Sequence, residues 1–407
     1  MRRIKIKMLR LLSLFFLSVL LSNCVEPFEP KLEDFENFLV VNSTVTNQVK
    51  HHQVFLSRTF KFEENVFVKE KGATVKVIED GVKEYIFEEV SEGVYQSVEE
   101  FGCLPNKEYQ LSITTINGNT YESEKETLPD NVPIQEVYPK SILDDDNEDA
   151  IGVFVNTIVP KEKSKYYRYE FEETYRYTAR FWVPDDIEIK DTVVLPSTNF
   201  GLELETRSDD FISCYITNSS NTTLINNASS LQEGAIASFL VKLIEIDDIR
   251  IEDRYSILVK QFAQTKEAHT FYEQLKIFSE SENLFSQVQP GFITGNIIPN
   301  GDNDDPVIGY FEVSTVSEKR IFFDRKDVAK AGAPKYRESC EIIVLKQNTE
   351  EFETFDNFLE RLRATVRGNS LVFHSWKIED AIVNFVRRPC GDCTAKGERF
   401  PPDYWED

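Results

Sequence analysis

The sequence is poor in the residues and motifs that most often carry out catalysis or bind metals. It contains four histidines, two methionines and three tryptophans in 407 residues. None of the histidines, His51, His52, His269 and His374, lies in an HExxH motif, a Cys/His zinc pattern or an evident triad. The motifs GxSxG, GxxxxGK and GxGxxG are missing as well. We therefore expect no catalytic residue, no cofactor and no metal site, and a protein that is not an enzyme.

Positive charge is also scarce. Lys and Arg number 46 against 70 Asp and Glu, which gives a net charge of -24. Such a surface repels phosphate backbones and anionic lipid headgroups, so we expect no nucleic acid as a partner. Two acidic stretches, 144–149 and 302–305, offer carboxylates to calcium, but neither fits the EF-hand register. We predict solvated loops there.

Long hydrophobic runs are missing after the first residues of the chain. Met1–Arg10 carries Lys and Arg without an acidic residue, and Leu11–Leu21 is mostly apolar. That apolar stretch has about 11 residues, whereas a membrane-spanning helix needs about 20. The pattern predicts a signal peptide over residues 1–23. The later apolar run Ala235–Ile246 is also too short to cross a bilayer and contains charged residues.

A cysteine follows this signal directly. Leu21-Ser22-Asn23-Cys24 resembles a bacterial lipobox, although Asn23 departs from the usual Gly, Ala or Ser. We predict acylation of Cys24, which anchors the mature chain in a membrane through its acyl chains. Residues 24–37 are acidic and contain two prolines, so they are predicted to form a tether. Ordinary secretion with a coincidental cysteine is the alternative.

The remaining five cysteines cannot all pair within one chain. An export signal places them in an oxidising compartment, where disulfides persist. We predict two disulfides among Cys214, Cys340, Cys390 and Cys393, with the connectivity left open. Cys103 is predicted to stay unpaired and buried. The CxxC formed by the last two cysteines lacks both a thioredoxin-like context and further zinc ligands.

From residue 38 the sequence alternates between apolar and polar side chains in short runs. Such period-two runs between turns predict strands. The clearest are Leu39–Val45, Gln53–Ser57, Ala73–Ile78, Tyr109–Ile116 and Thr120–Ser123. About seven strands with turns every 8 to 12 residues are typical of immunoglobulin-like folds. We predict an immunoglobulin-like β-sandwich over residues 38–130.

A larger, mainly antiparallel β-rich domain is predicted over residues 133–390. Its best-defined strand covers residues 166–182, with charged side chains on one face and aromatic side chains on the other. The aromatic face comprises Tyr167, Tyr169, Phe171, Tyr175, Tyr177 and Phe181. We predict that these aromatics are core, with sugar stacking as the alternative. The short runs 307–316 and 320–323 are further predicted strands.

Helical spacing occurs convincingly in one region, Glu267–Gln287. The polar stretch 217–230 is predicted to be an exposed loop. Residues 391–407 form a cysteine-containing C-terminal tail. Its Phe400, Tyr404 and Trp405 are predicted either to dock on the larger domain or to contact a partner.

Several short motifs together resemble one family, the uncharacterised Bacteroidota outer-membrane lipoproteins typically encoded beside TonB-dependent receptors. The motifs span nearly the whole mature chain. They are Cys24-Val25-Glu26-Pro27-Phe28, Gly72-Ala73-Thr74-Val75, Gly93-Val94-Tyr95, Tyr121-Glu122-Ser123, Gly295-Asn296-Ile297, Val307-Ile308-Gly309-Tyr310-Phe311, Cys390-Gly391-Asp392-Cys393-Thr394 and Pro402-Asp403-Tyr404-Trp405.

The resemblance implies a lipid-anchored accessory protein at the outer membrane, exposed on the cell surface, that partners a TonB-dependent receptor in nutrient uptake. It implies no ligand and no site residue. Two other classes are kept as alternatives: a structural or assembly component of the cell envelope, and a surface hydrolase with an unrecognised carboxylate pair.

Overall fold

The computed structural model describes residues 38–59, 68–161, 163–189, 202–280, 293, 295–301, 306–328, 340–348, 353–377 and 380–407. The predicted signal peptide, Cys24 and the tether lie outside the described residues. The same holds for residues 281–287 of the predicted helix and for the acidic stretch 302–305.

Strands are the main secondary structure, which confirms the mainly β class. The strands of the N-terminal stretch are β1 (Leu39–Thr46), β2 (Gln53–Arg58), β3 (Val68–Lys69), β4 (Thr74–Glu79), β5 (Lys83–Ser91), β6 (Val94–Ser97), β7 (Glu108–Thr114), β8 (Thr120–Ser123) and β9 (Glu126–Thr127). Each predicted strand of this stretch corresponds to one of them, because alternating burial makes the period-two pattern easy to detect.

Longer strands follow in the middle of the chain. They are β10 (Glu136–Leu143), β11 (Asp149–Ile158), β12 (Tyr166–Thr178), β13 (Asp185–Ile189), β14 (Leu202–Thr206), β15 (Ser213–Ser219), β16 (Leu224–Asn227), β17 (Ile236–Glu245), β18 (Arg254–Gln264), β19 (Ile297–Asn300) and β20 (Val307–Asp324). The predicted strands 307–316 and 320–323 are thus one continuous strand, β20.

The prediction of a loop over 217–230 is wrong in part. Strand β16 and the end of β15 lie in this stretch, and both pair with β12. Their polar side chains led to the loop prediction, but an edge strand tolerates such side chains because one of its faces is solvated. The residues between these two strands, 220–223, do form a loop.

The helices and the last strands complete the described elements. They are α1 (Lys266–Glu280), α2 (Arg325–Val328), β21 (Ile343–Lys346), α3 (Phe355–Arg367), β22 (Leu371–Lys377), β23 (Ile382–Arg387) and α4 (Arg388–Gly391). Helix α1 confirms the predicted helical region as far as the structure describes it. Helix α3 was not predicted, although its buried Phe358, Leu359 and Leu362 recur at helical spacing.

Fifteen of the described strands belong to one sheet. Its main path runs β15-β12-β18-β20-β1-β2-β6-β5-β4-β7-β8-β19. Strand β1 pairs antiparallel with β2 and parallel with β20, from Leu39 opposite Val307 to Thr46 opposite Ser314. The strands before residue 130 therefore continue into strands of the later sequence, and an immunoglobulin-like sandwich is not confirmed for them.

Two glycines permit the close approach of three chain segments at β20. A Cβ on Gly309, whose φ is +151°, would lie 2.1 Å from the carbonyl oxygen of Val41. A Cβ on Gly295 would lie 1.5 Å from the carbonyl oxygen of Gly309. Only glycine fits where backbones meet this closely. Two of the family-like motifs, 295–297 and 307–311, thus have a structural reason for their glycines.

The main core lies between two sheets. The aromatic face of β12 packs against the three-stranded sheet β10-β11-β17, and Tyr167, Tyr169, Phe171, Tyr175 and Tyr177 all belong to this core. This confirms the core prediction for these five aromatics. The predicted strand over 166–182 ends earlier, at Thr178, and Phe181 beyond it is partly buried in a separate cluster with Cys390. A second core, formed by β1, β2 and β4–β8 together with β20, holds the opposite half of the large sheet.

A smaller unit forms from the C-terminal residues. Helix α3 packs on the sheet β21-β23-β22, with Phe358, Leu362 and Phe385 almost fully buried. The helix begins after Thr354, whose hydroxyl accepts a hydrogen bond from the backbone N–H of Asn357. The α3 unit is therefore a satellite core of its own.

Candidate functional site

A cleft with a volume of about 440 Å³ lies where β1, β12, β20, the 220–223 loop and helix α1 meet. We call it the main cleft. It is lined by Val40, Val41, Asn42, Thr44, Arg168, Tyr169, Glu170, Ser220, Asn221, Thr222, Thr223, Phe271, Tyr272, Leu275, Ile308, Gly309 and Tyr310. Its volume is that of a site for a small molecule.

The floor of the main cleft contains a buried ion pair. Arg168 of β12 donates from Nη2 to Oε2 of Glu312 in β20 at 3.0 Å, and from Nη1 to Glu170. The Arg168 side chain is 9% exposed and that of Glu312 is fully buried. The guanidinium carbon lies 4.1 Å from the ring centroid of Phe262 and 4.9 Å from that of Tyr272. Apolar rings on both sides hold the arginine in place.

Glu312 accepts five hydrogen bonds in total. Besides Arg168, the donors are Thr44 at 3.2 Å, Gln264 at 2.9 Å, Tyr272 at 3.0 Å and Ser314 at 2.5 Å. With Arg168 of β12 included, the donors come from β1, β12, β18, α1 and β20, so one carboxylate ties four strands and the helix together. A buried charge is tolerated only when it is paired and hydrogen-bonded in this way.

The pKa of Glu312 follows from this environment. Burial by itself would raise the pKa, but the charge of Arg168 and the hydrogen bonds from Ser314, Gln264 and Tyr272 outweigh burial and lower it. Burial likewise opposes the charge on Arg168, but Glu312, Tyr272 and Glu170 together outweigh burial, so the pKa of the arginine is raised. Both groups are therefore charged at neutral pH.

Helix α1 covers one side of the main cleft. Its first turn is capped by Thr265, whose hydroxyl accepts a hydrogen bond from the N–H of Ala268 at 3.2 Å. Tyr272 then reaches Glu312, while Phe271 packs on Tyr310 with ring centroids 5.4 Å apart. The position of the helix is thus set by one polar and one apolar contact with β20.

A second buried glutamate lies on the other side of Tyr310. Glu126 of β9 accepts hydrogen bonds at Oε1 from the Tyr310 hydroxyl at 2.6 Å and from Nδ2 of Asn296 at 2.9 Å. No arginine or lysine of the described residues forms an ion pair with it. Burial raises the pKa of Glu126; the two hydrogen bonds oppose the rise, and the charges of Glu267 and Glu312 add to it.

Asn296 holds this second glutamate in place. Its Oδ1 accepts from the backbone N–H of Phe311 at 2.8 Å, and its Nδ2 donates to the carbonyl oxygen of Phe311 at 3.0 Å. The asparagine therefore substitutes for a neighbouring strand on the edge of β20 that faces away from β1, because β18 pairs only with residues 315–324 of β20. A cavity of about 340 Å³ lies beside it, lined in part by Asn296, Glu267 and Tyr310.

A further cavity of about 310 Å³ adjoins the main cleft along β1, and we call it the side cavity. The two share Asn42, Thr44 and Glu170 in their linings. Burial lowers the pKa of His52 in the side cavity to about 4, so this imidazole is neutral at pH 7. Burial and the charge of Lys260 lower the pKa of Lys50 at its rim.

The predicted cysteines lie elsewhere in the molecule. Disulfides join Cys214 to Cys393 and Cys340 to Cys390, which supplies the connectivity that the sequence left open. Cys103 is unpaired and buried, and burial raises the pKa of its thiol. The first disulfide connects β15 to the tail, and the second connects Cys340, just before β21, to helix α4. Neither disulfide lines the main cleft or the side cavity described above.

The C-terminal aromatics divide into two groups. The Tyr404 hydroxyl lies 2.9 Å from that of Thr174 in β12, and the Arg320 guanidinium lies 3.6 Å from the Tyr404 ring centroid. Trp405 contacts the ring of Tyr215 at 5.0 Å between centroids. These two aromatics dock on the large sheet, whereas Phe400 is 67% exposed.

The key residues of the main cleft were not predicted from the sequence. Arg168 belongs to the charged face of the predicted strand 166–182, for which no site was predicted, and Glu312 was not singled out. A usable signal exists: Glu312 is the one acidic residue in the apolar run Val307–Val316. Glu173 gives a similar signal on the aromatic face of β12, and it is buried with Arg250 at 2.8 Å and the Tyr255 hydroxyl at 2.5 Å.

Two negative findings apply to the described part of the chain. Within it, no three His, Cys, Asp or Glu side chains are grouped so as to hold a metal ion. None of the helices in those same ranges is both long and apolar enough to span a membrane.

The fold and the cleft define a mainly β protein with a cleft over a buried Arg–Glu pair. The chain belongs to the family described as domain of unknown function DUF4249, whose model matches residues 25–320. All residues that line the main cleft fall within this span, whereas Cys340, Cys390, Cys393 and helix α3 lie beyond it. No curated protein matches the chain.

Proposed function

We propose that the chain is a lipid-anchored binding protein of the outer-membrane surface that works as an accessory of a TonB-dependent receptor in nutrient uptake. The observation that carries the binding role is the main cleft, with its fully buried Glu312 below Arg168. Charged groups brought into a protein interior are costly, and where they line a cleft they point to a binding site.

The floor of the main cleft is suited to binding because it is rigid before a ligand arrives. Five hydrogen bonds fix Glu312, and Phe262 and Tyr272 fix the plane of Arg168. A preorganised site loses little conformational freedom when a ligand binds. The exposed rim, by contrast, consists of side chains such as Asn42, Asn221 and Thr222, which can form hydrogen bonds to a ligand.

The location in this proposal rests on the start of the sequence. Cys24 follows a short signal with a lipobox-like Leu21-Ser22-Asn23, and an acidic tether separates it from β1. Acyl chains contribute about 0.8 kcal/mol per buried methylene, so more than one chain holds a protein stably on a membrane. The net charge of -24 adds no attraction to anionic lipid.

Purification of the tagged chain from its own membranes in mild detergent tests this proposal. We expect a TonB-dependent receptor among the proteins that copurify, and we expect the Cys24→Ala variant to leave the membrane and lose that receptor. Recovery of wild-type protein without any such receptor would contradict the partnership, and membrane retention of Cys24→Ala would contradict the anchor.

A further inference from the structure

The main cleft and the side cavity adjoin each other along β1, and we call the two together the groove. Asn42 and Thr44 of β1 and Glu170 of β12 line both spaces. The groove passes from the 220–223 loop and helix α1 at one end to Lys50 and His51 at the other. Its two parts have volumes of about 440 and 310 Å³. A groove of this form fits an elongated ligand better than a single compact one.

The floor of the groove cannot take up a peptide by strand addition. Strand addition needs an unpaired sheet edge that offers backbone N–H and C=O groups. Strand β1 is paired on both sides, with β2 and with β20. Only side chains are therefore available to a ligand that lies along this strand.

Neutral hydrogen-bonding side chains occur along the whole groove. The hydroxyl and amide groups belong to Asn42, Thr44, Thr46, Gln53, Ser220, Asn221, Thr222 and Thr223. The charged side chains balance, because Arg168 and Lys50 are offset by Glu170 and by Glu312 beneath the floor. Neutral donors and acceptors along a groove match the hydroxyl groups of a sugar chain.

An exposed aromatic ring lies in the side cavity. Phe55 of β2 is opposite Asn42 in the strand pairing and is 44% exposed. An aromatic face next to hydrogen-bonding side chains supports one apolar face of a sugar ring while its hydroxyls are bound at the edge. The net charge of -24 disfavours acidic polymers over neutral ones.

We infer that this groove binds a neutral oligosaccharide, with sugar units in both the main cleft and the side cavity. The inference rests on the proposed function, because it takes the main cleft as the ligand site. It specifies the ligand class that the accessory protein would present to its receptor.

Calorimetric titration of the purified full-length lipoprotein in detergent tests the ligand class. The probes are maltohexaose, cellohexaose, xylohexaose and mannohexaose with their disaccharides, together with hexagalacturonate and a Gly-Ser hexapeptide. We expect at least one neutral hexasaccharide to bind about tenfold or more tightly than its disaccharide, because only the longer chain reaches both cavities. Binding of none of the neutral probes, or tighter binding of the hexagalacturonate or the peptide, would overturn the inference.

Two variants test whether both cavities contribute. Phe55→Ala changes only the side cavity, and Asn221→Ala changes only the main cleft. We expect Phe55→Ala to weaken hexasaccharide binding about tenfold and Asn221→Ala about three- to tenfold. The matched control is Phe400→Ala, which removes an exposed phenylalanine outside the groove and should leave binding unchanged. Loss of affinity in only one of the two groove variants would contradict a ligand that occupies both cavities.

These results are separable from those of the proposed function. A receptor that copurifies with a chain that binds no sugar would overturn the ligand class and leave the partnership intact. Sugar binding without a copurifying receptor would overturn the partnership and leave the ligand class intact.

Discussion

Two buried glutamates, Glu312 in β20 and Glu126 bonded to Tyr310 of β20, differ in the charged and hydrogen-bonding groups that surround them. Glu312 lies under the main cleft with an arginine and four neutral donors. Glu126 lies beyond Tyr310, where a phenol and an amide donate to it and no cation of the described residues pairs with it. Each receives one tyrosine hydroxyl, so the arginine is the main difference between them.

That difference decides which carboxylate keeps its charge. The pKa of Glu312 is lowered because Arg168 and the hydrogen bonds outweigh burial, and the pKa of Glu126 is raised because burial outweighs its two hydrogen bonds. A permanently charged, fully bonded group suits the floor of a binding cleft. In the Glu126 region, by comparison, burial makes ionisation of the carboxyl less favourable than in water.

Removal of the arginine should produce the largest effect. Arg168→Met keeps much of the side-chain volume but leaves Glu312 buried without a counter-charge. We expect a loss of about 3–5 kcal/mol in the free energy of unfolding, as for other broken buried pairs. Denaturant unfolding at pH 7 measures it, and a loss below about 1 kcal/mol would contradict the assigned role of the pair.

The matched double variant separates charge from packing. With Arg168→Met in place, Glu312→Gln removes the uncompensated charge and keeps an acceptor for the other donors. We expect the combined loss to be about 1–3 kcal/mol smaller than the sum of the two single losses. Simple additivity would show that the two side chains are not coupled.

Removal of the hydroxyl groups of Tyr272 and Tyr310 should give stability losses of intermediate size that can be compared directly. Tyr272→Phe removes a hydrogen bond to the charged Glu312, and Tyr310→Phe removes one to Glu126. Hydrogen bonds to charged groups contribute about 1.5–3 kcal/mol and ordinary ones about 0.5–1.5 kcal/mol. We therefore expect Tyr272→Phe to cost more, as measured by unfolding of both variants in one buffer. Equal losses, or a larger loss for Tyr310→Phe, would contradict the view that Glu312 carries its charge more readily than Glu126.

Neutralising Glu126 should have the smallest effect at neutral pH. Glu126→Gln keeps the oxygen that accepts from Tyr310 and Asn296 and removes only the charge. We expect a change within about 1 kcal/mol, in the stabilising direction, because the folded protein no longer buries an unpaired carboxylate. Thermal unfolding at pH 7 measures this change. A loss of more than about 2 kcal/mol would mean that the ionised form is the one the fold requires.

The comparison also shows what the sequence could and could not predict. Local periodicity was enough for the predicted N-terminal strands, for β12 and β20, for the aromatic core of β12 and for helix α1, because these signals arise from neighbouring residues. It was not enough for β16 and the end of β15, whose polar side chains predicted a loop. The pairing of Arg168 with Glu312 joins residues 144 positions apart. It depends on β20 lying between β18 and β1, and that order cannot be deduced from either strand alone.

The cysteines illustrate the same limit in another way. Their number and their compartment predicted which four pair, but only the fold shows that Cys214 meets Cys393 across 179 residues. The C-terminal aromatics were an open choice between docking and partner contact, and the structure assigns Tyr404 and Trp405 to docking. Helix α3, by contrast, was not predicted although its sequence carries a local signal, the helical spacing of Phe358, Leu359 and Leu362.

The pH dependence of stability tests the central claim about the two regions most directly. Wild type, Glu126→Gln and Glu312→Gln are unfolded with denaturant at intervals from pH 3 to pH 8. The two expected effects lie on opposite sides of the ordinary pKa of glutamate, about 4.3. A carboxyl whose pKa is raised in the folded state contributes stability that is lost as the pH rises through that folded-state pKa. A carboxyl whose pKa is lowered in the folded state contributes stability that is lost as the pH falls through that folded-state pKa.

We therefore expect Glu126→Gln to gain stability over wild type progressively above about pH 4.3, where wild type must ionise a buried carboxyl. We expect the penalty of Glu312→Gln to be full at higher pH and to shrink below about pH 4.3, where wild type loses its ion pair. The account is supported if Glu126→Gln gains stability over wild type above about pH 4.3 and the stability penalty of Glu312→Gln shrinks below that pH. The same trend for both variants would contradict it.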